Sequence, residues 1–317
     1  MNKIIAFFKL IRAGNLTIII IAMALMRYCV IKPFMIYSDL SLQLSLKDFF
    51  LLVLSTVFIT AAGYVINDYY DIKSDKINCP EKVIAGDIFS LNTVLYFNFI
   101  LNAIGIFFGL WLAIDIGDWN YGFIFIFISG LLWFYSSSYK GIPLLGNLIV
   151  SVMVALVPLL VVAFEMILFS QNYKTDLSLG KINYMPVFYF VLGFSVFAFG
   201  INFIREIVKD IEDIPGDKTA WKKTFPVVVG IKPSKYLVLF LTILLIGGLG
   251  YVYWFFLKNR MTLIYLLLFL IFPLLLLSYK LWVSNEKKDF HLVQTGLKIL
   301  LLTGLLYAFV ICAQINA

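Results

Sequence analysis

Gly63-Tyr64-Val65-Ile66-Asn67-Asp68-Tyr69-Tyr70-Asp71-Ile72-Lys73-Ser74-Asp75-Lys76 closes a long apolar run with a cluster of charge. Asp68, Asp71 and Asp75 stand at i, i+3 and i+7. At about 100° per residue they share one helical face, within about 60° of arc. Like charges this close repel, and a position beside a membrane adds desolvation cost. A divalent cation shared by the three relieves both, so the stretch reads as the metal-binding end of a helix.

The surrounding composition sets the environment. The chain has 317 residues, 62% hydrophobic and 14% charged, against roughly 45–50% and about 25% in soluble domains. This is the composition of an all-α integral membrane protein, read as one domain over 1–317. The net charge of +7 is explained by positively charged inner loops. No RNP, zinc-finger or basic-helix signature is present, so nucleic acid is not an expected partner. Cys29, Cys79 and Cys312 are scattered and form no C-x-x-C, which indicates neither a disulfide framework nor a zinc site. His291 opens an apolar run and reads as an interfacial residue. Lys3 and Ala22-Met23-Ala24 raise a signal peptide, but Lys9 and Arg12 interrupt the early hydrophobics and apolar residues continue past Ala24. The reading is an uncleaved first span.

Apolar runs of about 20 residues fit helices crossing a core of about 30 Å. Nine such runs occur, near 16–36, 47–67, 89–113, 120–138, 144–169, 184–206, 236–257, 262–283 and 292–313. They predict nine transmembrane helices bundled around a central chamber. Arg27 and Glu165 fall inside runs and are expected near an interface, snorkelling to water. An inner N-terminus puts 18 of the 25 basic residues in inner segments, which favours N-in and C-out.

Parity then pairs two regions. The second and sixth spans both run from outside to inside, so the polar segments after them emerge on one face. After the sixth comes Arg205-Glu206-Ile207-Val208-Lys209-Asp210-Ile211-Glu212-Asp213-Ile214-Pro215-Gly216-Asp217-Lys218. Glu206, Asp210 and Asp213 again keep helical spacing, and Pro215 with Gly216 is expected to end the helix and put Asp217 on a loop. The stretches 70–88 and 207–235 thus read as two Asp-rich cytoplasmic loops.

Carboxylates suit hard cations such as Mg²⁺, which shares its shell with phosphate oxygens. Two carboxylate groups facing across one cavity suit a Mg²⁺–diphosphate, with Lys73, Lys76, Arg205 and Lys209 interleaved to offset phosphate charge. The bland alternative is a pair of solvated acidic loops. Shared spacing, face and position after a span favour the clamp. A diphosphate head before an apolar bundle suggests an isoprenoid tail between the helices. The 31 Phe, 18 Tyr and 6 Trp permit cation–π support of an allylic cation.

These motifs resemble those of the UbiA superfamily of intramembrane prenyltransferases. Asn67-Asp68-x-x-Asp71-x-x-x-Asp75 resembles its first motif, and Asp210-x-x-Asp213-x-x-x-Asp217 its second. Arg12-x-x-Asn15 before the first span, and Tyr135-Ser136-x-x-Tyr139-Lys140 through Asn147 at the exit of the fourth, are similar as well. The resemblance implies Mg²⁺ held by Asp68, Asp71, Asp75, Asp210, Asp213 and Asp217, which are also the catalytic set. It implies a polyprenyl diphosphate donor, and substrate binding by Arg12, Asn15, Asn67, Lys73, Tyr135, Tyr139, Lys140, Arg205 and Lys209. It implies a lipophilic acceptor and an active site facing the cytoplasm from the cell inner membrane, among membrane lipid.

Arg205–Asp213 and Asp75–Gly86 look most like the ether-lipid branch, whose acceptor is the hydroxyl of a prenylated glycerol phosphate. There Lys209 and Arg12 would bind the acceptor phosphate. Cys79 and Lys82 stand where the family often has arginine, and Val83 and Pro215 are unusual. Lysine does not reproduce bidentate guanidinium contacts, so an aromatic acceptor, as in quinone biosynthesis, stays open. A CDP-alcohol phosphotransferase would need D-G-x-x-A-R, which Asp71–Asp75 does not contain. A transporter would carry its carboxylates near the midplane on broken helices, whereas here they cluster at a membrane face.

Overall fold

The computed structural model describes residues 2–178 and 183–316, with the side chains of Lys82, Asp176, Ser178 and Asn316 excepted. The Lys82 departure therefore lies outside the described side chains. Nine helices are long and apolar enough to cross a membrane among the described residues. They are α1 (Ala13–Tyr37), α2 (Leu46–Asn78), α3 (Leu91–Asp115), α4 (Trp119–Tyr139), α5 (Leu145–Asn172), α6 (Met185–Glu212), α7 (Ile231–Leu257), α8 (Arg260–Val283) and α9 (Lys287–Ile315). Each coincides with one of the nine predicted runs. The side chains of Ser45 and Ser90 cap α2 and α3 by accepting the N–H groups of Asp48 and Thr93.

The helices form a ring. α2 packs most extensively on α3, α6 on α5 and α9, and α1 closes the ring against α9. α7 and α8 bury little of their surface and present apolar side chains such as Phe240, Leu244, Leu268 and Phe272 outward. That is how a helix facing lipid reads.

Two expectations are corrected. The motifs keep the helical faces read from their spacing, but the stretches read as Asp-rich loops, 70–88 and 207–235, begin as helix, and Asp217 lies on a short helix and not on a loop. α2 continues to Asn78, since Asp68–Asn78 contains no Gly or Pro, and it stops at Cys79 because Pro80 comes next. α6 runs to Glu212, and Pro215 then sits in the first turn of a new short helix, Ile214–Thr219, which carries Asp217. Pro is compatible with a first turn, whose N–H groups have no intrahelical partner.

Arg27 and Glu165 do not snorkel. They are 5% and 1% exposed, at the end of the bundle opposite the acidic motifs. Glu165 accepts the backbone N–H of Leu44 at 3.2 Å and that of Gln43, while Arg27 donates to the Leu44 carbonyl at 2.7 Å. The two charges stand 4.0 Å apart. The non-helical backbone before α2 thus supplies partners to both, and the Arg27 guanidinium, whose Nε and Nη1 make no hydrogen bond among the described residues, lies 4.7 Å over the Phe49 ring.

Candidate active site

The two motifs are locked together at their ends. The Asn78 side chain donates to the Asp213 carbonyl at 3.1 Å and accepts the Gly216 N–H at 3.0 Å. Gly216 lies so close to α2 that a Cβ there would stand 2.5 Å from the Ser74 carbonyl oxygen. Only glycine permits that approach. The residue read from sequence as a helix breaker is therefore a contact point between the motifs.

All six aspartates line one polar cavity of about 530 Å³. Asp71 is 4% exposed and is held by two ammonium groups. Lys140 bridges it to Asn67, donating to the Asn67 oxygen at 2.9 Å. Lys222 donates to Asp71 at 2.6 Å and to the Ser74 hydroxyl at 3.0 Å, and lies 3.8 Å from Asp217. Asp68 takes a 2.9 Å bond from Arg12. Asn147 donates to Asp210 at 2.8 Å and Thr224 to Asp217 at 3.2 Å.

Local backbone delivers several of these groups. Arg12 has a positive φ of 51° just before α1, a strained conformation for a residue with a Cβ. Its guanidinium lies 4.8 Å over the Tyr64 ring. Tyr135–Tyr139 forms one wide π-type turn, closed by the Lys140 N–H on the Tyr135 carbonyl at 2.9 Å. In an α-helix Tyr135 and Lys140 would be roughly 140° apart. An i→i+5 turn brings them to one face, and both line the cavity.

Electrostatics follow from burial and pairing. Burial pushes the Lys140 ammonium down, but Asp71 and Asp75 more than offset it and hold Lys140 above the usual lysine range. Burial raises the Asp217 carboxyl above its ordinary range, with Lys222 opposing and Asp213 assisting.

A second, apolar cavity of about 290 Å³ lies inside the ring. Its described lining comes from α1, α2, α4, α5, α6 and α9 with Arg12 and Lys140, and none from α3, α7 or α8. Arg12, Tyr135, Lys140, Arg205, Glu206 and Lys209 line both cavities. They form a neck through which the acidic pocket opens into the apolar chamber. Asn15 lines the chamber near the neck, accepting from Lys298 at 2.7 Å.

The structure thus brings the six aspartates together with Arg12, Asn15, Asn67, Tyr135, Lys140, Arg205 and Lys209. It does not bring in Lys73, which is exposed and lines neither cavity, nor Tyr139, whose ring packs towards Phe134. Lys76 pairs with Asp87 at 3.4 Å instead. Helical periodicity explains both lysines. Lys73 lies about 160° round α2 from the mean direction of Asp68, Asp71 and Asp75, and Lys76 is likewise off the acidic face.

Sequence reasoning passed over Lys222, Asn78 and Glu206 as site residues. Asn78 has a legible signal, since it lies seven residues after Asp71 on the same face. Glu206 shares the face of Asp210 and Asp213. Lys222 sits in a turn, and no spacing announces it. His291 lines the edge of the cavity and bonds Glu212 at 3.1 Å.

The bundle and its paired cavities define a multispan membrane protein with an acidic pocket at one end opening into an apolar interior. The UbiA prenyltransferase family model matches residues 13–310, and the chain belongs to that family. It is a prenyltransferase. A digeranylgeranylglyceryl phosphate synthase of Methanosphaera stadtmanae is 32% identical over 259 residues, covering 80% of this chain and 83% of that one. The Methanobrevibacter smithii protein of the same name is 30% identical over 307 residues, 96% and 95% of the two chains. Solved structures share the fold. A digeranylgeranylglyceryl phosphate synthase superposes with a TM-score of 0.66 at 24% identity, over 99% of this chain and 100% of that one. A UbiA homolog from Archaeoglobus fulgidus bound to GPP and Mg²⁺ gives 0.56 at 18% identity, over 97% and 99%.

Proposed function

We propose that the protein transfers a prenyl group from a polyprenyl diphosphate to the free hydroxyl of a prenylated glycerol phosphate, forming an ether lipid. The observation that carries this reading is the neck. A carboxylate-lined pocket for a charged head opens through six shared residues into an apolar chamber for a tail. The names of the two relatives that align over four fifths or more of both chains support the acceptor.

The donor set fits Mg²⁺. Every candidate ligand is a hard oxygen, from Asp68, Asp71, Asp75, Asp210, Asp213 and Asp217, and among the described residues no cysteine other than Cys79 lines the pocket. Among the described residues no three carboxylates yet meet at a single point, and the Lys140 and Lys222 ammonium groups balance Asp71. Mg²⁺, when bound, offsets charge that builds on the leaving diphosphate.

The chain's own groups do the rest. Asn67 and Lys140 hold the head, with Arg12, Arg205 and Lys209 adding positive charge at the neck. The allylic C–O bond breaks with its electron pair going to the diphosphate. The acceptor oxygen bonds to the freed carbon and gives up its proton to an oxygen of the departed diphosphate. Tyr135 faces the neck, where its ring can support the allylic cation. The apolar chamber excludes water, which would otherwise capture the cation. The basic excess of the inner segments supports a pocket on the cytoplasmic side of the cell membrane.

Binding of a labelled polyprenyl diphosphate to the purified protein tests this reading. Saturable binding abolished by EDTA and restored by Mg²⁺ is expected. Binding indifferent to EDTA contradicts the metal clamp.

A further inference from the structure

One cation inside the bundle has no counter-charge beside it. Lys298 stands about 16 Å along α9 from Lys287, at about 1.5 Å per residue. One face of α9 passes there from the acidic pocket into the chamber. His291 and Gln294 line the pocket, whereas Lys298, Leu301 and Leu305 line the chamber. A cation this deep in a span is costly, so such residues normally come with a partner. The chamber's other cations have carboxylates at hand. Arg12 bonds Asp68, Lys140 bonds Asp71, and Arg205 bonds Glu206 at 2.6 Å. Lys209 lies near Glu206 and Asp213. Among the described residues Lys298 has only the Asn15 amide oxygen, at 2.7 Å. The charges that act on its ammonium are those of Arg205 and Arg12, which have the same sign.

A second observation falls at the same place. Arg205 Nε is buried and has no hydrogen-bond partner among the described residues. An unmet buried donor is destabilising, and an anion oxygen would satisfy it. Arg205 comes from α6, Arg12 from the turn before α1, and Lys298 from α9, so three separate elements bring positive charge to the chamber side of the neck. The described lining of the acidic pocket does not include Lys298, which sets it apart from the diphosphate head. Cations that gather without a protein counter-ion suit an anion carried in by a substrate.

We propose that Lys298, with Arg205 and Arg12, holds the phosphate of the acceptor at the neck, an inference that rests on the acceptor being a prenylated glycerol phosphate. A phosphate monoester carries about two negative charges at neutral pH and three strong acceptor oxygens, which matches three cationic donors. The lysine supplies a point charge, and the guanidinium groups supply directed N–H donors. Asn15 positions the ammonium through its bond to Nζ. In a glycerol phosphate the free hydroxyl oxygen is four or five bonds from phosphorus, at most about 7 Å at about 1.5 Å per bond. A phosphate seated here therefore keeps that hydroxyl near the neck, where the departing diphosphate leaves the allylic carbon.

The test compares geranylgeranylglyceryl phosphate with its phosphate-free counterpart, geranylgeranylglycerol, as acceptors for geranylgeranyl diphosphate, on the full-length protein in nanodiscs. The wild type is expected to favour the phosphorylated acceptor in kcat/KM by about tenfold or more. Lys298→Gln keeps a donor for Asn15 and removes the charge. It should raise KM for the phosphorylated acceptor about tenfold. KM for geranylgeranylglycerol and the dissociation constant of the donor should stay within about twofold. Lys298→Arg should recover most of the loss. A structural lysine would shift both acceptors together, and one that binds the diphosphate would weaken the donor. Either result overturns the proposal, as does a wild type that uses the two acceptors equally. Where Lys298→Gln fails to fold, Lys298→Met takes its place in the same comparison, and loss of folding in both marks a structural lysine and also overturns the proposal. A wild type that prenylates neither acceptor overturns the proposed function instead.

Discussion

Asn78 on α2 and Gly216 on the short helix after α6 share a 3.0 Å hydrogen bond that ties the two acidic motifs into one wall. The same side chain reaches the Asp213 carbonyl. Asn78→Ala leaves the buried Gly216 N–H without its partner, which costs about 1–3 kcal/mol. The expected outcome is a lower melting temperature together with weaker Mg²⁺ dependence of turnover. Gly216→Ala should be worse, since its methyl would push against the α2 backbone at Ser74. Thermal melts and metal titrations of the two variants check both.

Asp71 and Lys73 separate the acidic face of α2 from its opposite side. Asp71→Ala should reduce turnover by about 10²-fold or more, the scale of losing a preorganised electrostatic group. Lys73→Ala should change turnover less than about threefold, as surface changes usually do. A loss in Lys73→Ala equal to that in Asp71→Ala would contradict the side-chain placement.

Lys140 and Lys222 both neutralise Asp71, but only Lys140 also stands at the neck. Lys140→Gln should therefore lower kcat as well as donor affinity. Lys222→Gln should act chiefly on affinity for donor and Mg²⁺. Steady-state kinetics across donor and metal concentrations distinguish the two.

Arg27 and Glu165 seal the far end of the bundle. Arg27→Ala strands a buried carboxylate, a change that costs about 3–5 kcal/mol where partners are lost. It should lower the melting temperature while leaving donor affinity within about twofold in the protein that remains folded, as expected for a site with no shared partners. Pairing it with Glu165→Gln should recover part of the loss.

Much of this architecture is legible in the chain, and the reasons are local. A helix that crosses lipid needs a long apolar run, so α1–α9 announce themselves. Asp68, Asp71 and Asp75 announce a shared face because helical periodicity is a short-range property. Parity carries that to Asp210 and Asp217 across the bundle. The ends of α2 and α6 are less legible, since polarity marks where a helix leaves lipid and not where it stops turning. Pro215 shows the limit, because proline fits a helix start as readily as a helix end. Lys222, brought to Asp71 by a turn, and Arg27, bonded to the Leu44 carbonyl, depend on tertiary contacts that no spacing encodes.

The acceptor is the point on which the proposed reaction stands. Product mass spectrometry decides it, on purified protein given geranylgeranyl diphosphate, Mg²⁺, and geranylgeranylglyceryl phosphate in competition with 4-hydroxybenzoate. The ether lipid is expected as the main product, lost with EDTA. Equal or greater prenylation of the aromatic acid would contradict the assignment.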